Sequence, residues 1–420
     1  MKFFLLASVA LCLSAQTPAD LANQAEALLR SGDREKGLAL LDQAAQAPGG
    51  TAESEDHIGF LLAAVGRGAD ALPHFQKALS LNADYAPAHY HLGAALWLAK
   101  DHEHGLPQLQ AAAQLAPDNF DYRYHLGSAY LDINDLEHAV AELKLAVAID
   151  PSKPIAWTQL AGALHKQGDM GAVDAYAHAV ELAPQDDAMR NTYASLLVQT
   201  RQPVRAIAES QKVLDRKGST DLARAEAQMT IGYAYLKTGE FEKSEKAYRA
   251  AVALDPESPV THYNLAIALK MEDHIEASLA EFQKVISLDP KIPEAHYSLG
   301  TAHWQLGDFP AAVAEMKEAI TLRADYAEAH YMLGITLKQN GDLDGAIVEL
   351  KEAIRLDPTT PGPFNTLGQI LRIKGDKAGS AEMFATGARL KKEKDAELAN
   401  NLEQGMRGGM FPKPLESSKK

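Results

Sequence analysis

Histidine is the side chain in this sequence best suited to bind a metal ion, and four histidines lie close together. His89 and His91 flank a tyrosine in the stretch AHYHLGAALW, and His102 and His104 follow in DHEHG. On a helix, side chains two positions apart point about 160° away from each other. His89 and His91 therefore cannot share one ion, and this pair alone does not form a metal site.

The composition is that of a soluble globular protein and argues against nucleic acid as a partner. The chain has 420 residues, of which 46% are hydrophobic and 23% charged, and its formal net charge is −15. Binding to phosphate backbones depends on clustered lysine and arginine. No run of basic residues interleaved with aromatic residues is present, so we expect no nucleic-acid partner.

The first fifteen residues, MKFFLLASVALCLSA, predict a secretory signal peptide that is cleaved after Ala15. Lys2 precedes an apolar run that ends at Leu13, and small residues follow. The only cysteine, Cys12, lies inside this segment, so the mature chain would have no thiol and no disulfide. Elsewhere no segment approaches about 20 uninterrupted apolar residues. We expect a protein exported through its signal peptide, periplasmic or secreted, without a membrane span.

One pattern recurs about every 34 residues between residues 18 and 394. NADYAPAHYHLGAAL, for example, reappears as RADYAEAHYMLGITL. Eleven repeats begin at Pro18, Ala52, Ala86, Phe120, Pro154, Asp187, Ala225, Pro259, Pro293, Ala327 and Pro361.

Each repeat carries fixed residue types at fixed positions, counted from its first residue. Position 8 is glycine or alanine, position 15 is often glycine, a residue near position 24 is often bulky and apolar, and position 32 is often proline. Small residues at position 8 allow two helices to approach closely, and glycine at position 15 can take the left-handed conformation that ends a helix. Each repeat is thus predicted to be a pair of helices that buries its apolar surface only against the next pair.

These positions resemble the tetratricopeptide repeat, whose W-x2-L-G-x2-Y…A-x3-F…P pattern has the same period. The resemblance implies an all-α fold, a right-handed α-solenoid superhelix of stacked helix-turn-helix units. We expect repeats 1–6 over residues 18–224 and repeats 7–11 over 225–394, with any boundary at the extra residues in 215–223. Residues 395–420 are expected to contain the end of a capping helix and a disordered tail.

The helical period separates two faces of the first helix of each repeat. At about 100° per residue, positions 5, 6, 9, 12 and 13 lie opposite the packing positions 4, 7, 8 and 11. In tetratricopeptide proteins, by resemblance, that face lines a concave groove that binds extended peptides or partner segments.

Aromatic and polar residues occupy this face, as expected of a binding surface. Position 5 is tyrosine in five repeats: Tyr90, Tyr124, Tyr263, Tyr297 and Tyr331. Position 12 brings Trp97 and Trp304. Position 6 is polar in nine consecutive repeats: Asn23, His57, His91, His125, Gln159, Thr192, Thr230, Asn264 and Ser298. For any one of these residues, packing between helices is an alternative to partner binding.

Metal binding and catalysis are not predicted. His57, His91 and His125 share position 6, but first helices about 10 Å apart would not bring three rings to one ion at about 2.1 Å. His89 sits at position 4 and is expected to be a packing residue. No G-x-S-x-G elbow, no H-E-x-x-H and no phosphate loop is present;. We expect no catalytic residues, no cofactor and no metal, and therefore no enzyme.

The resemblance implies a protein-interaction scaffold or adaptor whose partners are protein or peptide segments. Chaperone-binding members of the family clamp a terminal carboxylate with lysine and arginine on this face. Position 5 holds neither residue in any repeat, so that clamp is not expected. Two alternatives stay open: a structural accessory subunit of a bacterial envelope assembly, associated with secretion or a pilus, and a repeat-domain partner of a separately encoded enzyme. The oligomeric state is not indicated.

Overall fold

The computed structural model describes residues 16–403, and every regular element within this range is an α-helix. The predicted signal peptide and residues 404–420 of the predicted tail lie outside the described range. The all-α prediction is confirmed. None of the described helices combines the length and the apolar character that crossing a membrane requires.

The chain divides into two compact units, with the division between Ala183 and Pro184. The boundary expected at residues 215–223 does not coincide with this division. The N-terminal unit contains ten helices in its described part: α1 Pro18–Ser31, α2 Arg34–Gln46, α3 Ala52–Ala64, α4 Gly68–Leu81, α5 Ala86–Leu98, α6 His102–Leu115, α7 Phe120–Asp132, α8 Leu136–Ile149, α9 Pro154–Gln167 and α10 Gly171–Leu182.

The C-terminal unit contains twelve helices in its described part, and α22 is a single long helix that extends over the predicted capping segment. The helices are α11 Asp187–Gln199, α12 Pro203–Asp215, α13 Asp221–Thr238, α14 Phe241–Leu254, α15 Pro259–Met271, α16 Ile275–Leu288, α17 Pro293–Gln305, α18 Phe309–Leu322, α19 Ala327–Gln339, α20 Leu343–Leu356, α21 Pro361–Ile373 and α22 Lys377–Glu403.

The turn between the two helices of each repeat has the same backbone conformation whatever residue is present. Glycine at position 15 has a positive φ, as at Gly341 with φ +85°. In the four repeats without glycine, the same position still has a φ between 59° and 66°, at Lys100, Asn134, Arg201 and Asp273. A left-handed residue is therefore what ends the first helix, and glycine is the residue that adopts it at lowest cost.

In the seven repeats with glycine at position 8, this position packs directly against position 24 of the second helix. A Cβ atom placed on Gly59 would lie 2.6 Å from Cε1 of Phe75, and one on Gly334 would lie 2.8 Å from Cγ of Leu350. Phe75 and Leu350 are almost completely buried. The predicted close approach at position 8 thus forms the core of each helix pair.

The extra residues at 215–223 form a short link and the first residues of helix α13. Helix α13 begins at Asp221, four residues before the predicted start of its repeat, and the Thr220 side chain caps it. The short link is attached to the same unit, since Arg216 Nε donates to Oδ1 of Asp187 at 2.8 Å. Ser219 is buried and its hydroxyl donates to the carbonyl of Val213 at 2.7 Å.

Candidate functional site

We call positions 5, 6, 9, 12 and 13 of the first helices, with position 2 at their edge, the first-helix face. Its tyrosines at position 5 lie between neighbouring first helices. Tyr263 is buried, with Oη 3.2 Å from Oγ of Ser298 in the next repeat. Tyr90 Oη lies 3.2 Å from Nδ1 of His125, again in the next repeat. Burial raises the pKa of Tyr90 and of Tyr297 to about 12.

The remaining tyrosines of position 5 are half-buried as well. Tyr124 stacks on Phe120 with ring centroids 5.7 Å apart, and burial raises its pKa. Tyr331 packs against the buried cluster of repeats 9 to 11. The tyrosine row therefore supplies contacts between repeats, and each ring presents only part of its surface.

Two of the three histidines at position 6 link neighbouring first helices through carboxylates. His57 Nε2 lies 3.0 Å from Oε2 of Glu26, and His91 Nδ1 lies 2.8 Å from Oδ1 of Asp56. Each carboxylate belongs to the preceding repeat. A charged histidine beside a carboxylate forms a strong, directional hydrogen bond. These ring nitrogens are thus directed at carboxylates.

The other polar residues of position 6 share this face, but most of them already have partners. Gln159 accepts a hydrogen bond from Ser128 of the preceding repeat. Thr192 and Thr230 donate to carbonyls of their own helices, at 2.9 Å and 3.1 Å. Asn264 and Ser298 are buried, whereas Asn23 and Thr192 are exposed.

The two tryptophans at position 12 differ in their partners. Trp97 Nε1 donates to Oδ2 of Asp132 at 2.9 Å, and its ring stacks on His102 with centroids 4.1 Å apart. His104 pairs with Asp101 at 2.8 Å. Trp304 Nε1 is buried and has no hydrogen-bond acceptor among the described residues. Of the histidines of DHEHG, His102 thus packs within repeat 3, whereas the exposed His104 pairs with the N-cap residue of α6.

Position 4, expected to be a packing position, carries a repeated polar link. In repeat 8, His262 Nδ1 lies 2.6 Å from Oε2 of Glu281, and Nε2 lies 2.9 Å from the carbonyl oxygen of Pro256. The ring is buried. His89 makes a related pair of contacts with Gln108 and the carbonyl of Ala83. Position 4 therefore connects both helices of a repeat to the loop that precedes it.

Basic residues on the first-helix face were missed by the sequence analysis. Lys270, Lys338 and Arg372 occupy position 12 of repeats 8, 10 and 11. Position 5 has no lysine or arginine, but position 12, about two helical turns further along the same face, carries these cations;. Burial lowers the pKa of Lys270 to about 8.

One group among residues 16–403 offers three possible metal-ligand atoms within 4.8 Å of one another. The sequence pattern did not predict it. It consists of Glu245, Glu272 and His274, near the turn between α15 and α16. Glu245 already pairs with Arg249 at 2.7 Å. Burial and the nearby Glu245 raise the pKa of Glu272.

Comparison with known proteins covers both units. Profiles described as tetratricopeptide repeat or TPR repeat match residues 21–43, 59–119, 127–168, 232–272, 274–307 and 297–361. Together these matches span more than half of the chain. No curated protein matches the sequence at a significant level.

Solved structures match over less than half of this chain. The crystal structure of MamA is 25% identical with a TM-score of 0.38, and the match covers 40% of this chain and 97% of MamA. MamA from Desulfovibrio magneticus RS-1 is 23% identical with a TM-score of 0.39, over 41% and 97%. YrrB, described as a TPR protein with an unusual peptide-binding site, is 20% identical with a TM-score of 0.36, over 43% and 92%.

The repeat period, the small residue at position 8 and the left-handed residue at position 15 agree with these profile matches in both units. The chain therefore belongs to the tetratricopeptide repeat family.

Proposed function

We propose that this chain is an exported protein-interaction scaffold that binds peptide or protein segments on its first-helix face, without catalytic activity. One observation supports the choice of face. Large apolar side chains are exposed on it in both units, as they are on other surfaces of the described chain, and contiguous exposed apolar surface commonly marks an interaction site;. They are Phe60 at position 9, Leu98, Met271 and Ile373 at position 13, and Ile155 at position 2.

Leu98 and Phe60 are the sharpest probes of this proposal. Leu98 is 83% exposed and Phe60 is 46% exposed, so neither needs its full apolar surface for folding. Exposed side chains of this size at a groove gain free energy when a partner removes them from water. Substitution by serine should therefore weaken partner binding with little change in stability.

The test is affinity capture from the cell that exports the protein, with F60S/L98S as the variant. Leu145 lies on the second helix of repeat 4 and is 45% exposed, so L145S is a matched control on another face. We expect F60S/L98S to lose the partners that wild type and L145S retain. If L145S loses them and F60S/L98S does not, a second-helix surface binds the partner, as a structural subunit of an envelope assembly would require.

Export is the second part of the proposal and is supported by the sequence of residues 1–15. A fusion of these residues to a reporter that is active only outside the cytoplasm tests it directly. Replacing several apolar residues of this segment by charged ones should abolish reporter activity. Unchanged activity after that replacement would contradict export through this segment.

A further inference from the structure

Three hydrogen-bond donors without anionic acceptors lie at position 12 of consecutive repeats in the C-terminal unit. They are Lys270 on α15, Trp304 on α17 and Lys338 on α19, and we call them the donor column. Lys270 Nζ donates to Oγ1 of Thr301 at 2.7 Å. Lys338 Nζ donates to Oε1 of Gln369. Both acceptors are neutral, and neither ammonium group pairs with a carboxylate within the described chain.

Burial makes this lack of a counter-charge costly at Lys270. The side chain is half-buried, and burial alone lowers its pKa to about 8, with no nearby carboxylate acting against that effect. An ammonium group removed from water is stabilised only by pairing. Lys270 therefore carries a half-buried ammonium group that pairs with no carboxylate of the described chain.

In the N-terminal unit, a donor at position 12 has a carboxylate as its acceptor. Trp97, at position 12 of repeat 3, donates to Asp132 at position 13 of the next repeat. The corresponding residue for Trp304 is Gln339, and the indole nitrogen of Trp304 has no acceptor in the described chain. The donor column therefore lacks the internal carboxylate that satisfies its counterpart.

We propose that the donor column of Lys270, Trp304 and Lys338 binds an acidic, extended segment of a partner polypeptide. The proposal rests on the scaffold function proposed above and narrows the chemistry of its partner. Carboxylates of the segment pair with the two ammonium groups. Between them a main-chain carbonyl of the segment accepts from Nε1 of Trp304, and an apolar side chain contacts the indole ring. Charge-assisted hydrogen bonds of this kind are stronger than those to neutral acceptors. Nucleic acid is disfavoured as the source of the anionic groups, because the sequence has no run of clustered basic residues to match a phosphate backbone;.

The geometry of the column sets a spacing for the acidic residues. Packed helices lie about 8–10 Å apart, so Lys270 and Lys338, two repeats apart, are separated by roughly 16–20 Å. An extended chain advances about 3.3 Å per residue. Two acidic residues five or six positions apart would therefore reach both lysines, with a residue midway at Trp304.

The test is fluorescence anisotropy with synthetic twelve-residue peptides and the full chain. One peptide has two glutamates six positions apart with leucine midway, and a second has glutamine in place of each glutamate. We expect the glutamate peptide to bind at least ten times more tightly, with an affinity that decreases as salt is added. K270M and K338M should each weaken binding about tenfold, with the fold monitored by circular dichroism.

The matched control is K351M, since Lys351 is an exposed lysine on the second helix α20. Its removal takes away the same charge from another face and should leave the affinity unchanged. Equal affinity of the two peptides, or an unchanged affinity in K270M, overturns the proposal. A single-stranded oligonucleotide that competes fully at equal concentration also overturns it. Partner capture that depends on Phe60 and Leu98 would then still support the scaffold function.

Discussion

His296 Nδ1 lies 2.7 Å from Oε2 of Glu315, while Nε2 of the same ring lies 3.1 Å from the carbonyl oxygen of Pro290. A carboxylate and a carbonyl can only accept hydrogen bonds, so both ring nitrogens face acceptors. The arrangement recurs at His262 and His330. In repeats 4 and 6 an arginine at the same position makes the equivalent contacts. Position 4 is thus a polar connector between a repeat and the loop before it.

Removing either side of this connector should destabilise the protein, and the two losses should not add. We expect H296A and E315A each to lower the free energy of unfolding by about 1–3 kcal/mol, because a buried polar group loses its partner. Urea unfolding of both single variants and the double variant measures the coupling, expected at about 0.5–3 kcal/mol. Strictly additive losses would show that the pair makes no mutual contribution.

The glycine at position 8 should tolerate alanine and reject larger residues. A Cβ atom on Gly334 would lie 2.8 Å from Cγ of Leu350 and 3.4 Å from the carbonyl oxygen of Ala346. Alanine occurs at this position in other repeats, so G334A should cost little once Leu350 shifts. G334V should lower the free energy of unfolding by about 1–3 kcal/mol, because the larger side chain overpacks the core. If the added volume is the cause, L350A should recover part of the loss in G334V/L350A.

Much of the fold could be predicted because the same constraints recur in eleven repeats. Ten of the predicted repeat starts coincide with the first residue of a helix. The exception is Ala225, where a strict repeat count concealed Thr220, whose side chain caps an earlier start at Asp221. An N-cap threonine before helix-forming residues is a local signal, and it could have been recognised in the sequence.

The residues on the first-helix face could be predicted from the sequence, but their hydrogen-bond partners could not. Helical geometry assigns His57 and His91 to this face from sequence alone. Their contacts with Glu26 and Asp56 depend on the distance and rotation between neighbouring helices, which a sequence pattern does not specify. For the same reason, the missing carboxylate at Lys270 and the missing acceptor at Trp304 became visible only in the structure. Whether the sixteen residues named from the sequence bind a partner stays a prediction.

Removal of the buried hydroxyl of Tyr248 should stabilise the protein. Tyr248 is completely buried against Gly232, and its Oη has no hydrogen-bond partner in the described chain. Burial also raises its pKa far above the usual range for tyrosine. We expect Y248F to raise the free energy of unfolding by about 1 kcal/mol, since the ring stays and an unsatisfied polar atom is removed. A clear loss of stability in Y248F would reveal a partner for this hydroxyl.

Lys270 should make the stability of the peptide-free protein vary with pH in the alkaline range. Its pKa is lowered to about 8 in the folded protein, whereas an unfolded lysine titrates near about 10.4. Between these values the unfolded chain binds more protons, so this residue contributes stability that increases as the pH rises through that window. In K270M the contribution is absent. At pH 7 the variant should therefore be more stable than wild type, by up to about 3 kcal/mol if the whole shift is expressed.

Thermal unfolding of wild type and K270M between pH 6 and pH 10.5 measures this difference, with K351M as the control for the loss of one charge. The advantage of K270M should be largest below pH 8 and should shrink towards pH 10.5. With the glutamate peptide bound at pH 7, wild type should be more stable than K270M, because a bound carboxylate stabilises the ammonium form. The affinity of the peptide for wild type should decrease from pH 7 to pH 9. Parallel stability curves for wild type and K270M would contradict a desolvated ammonium group at this position.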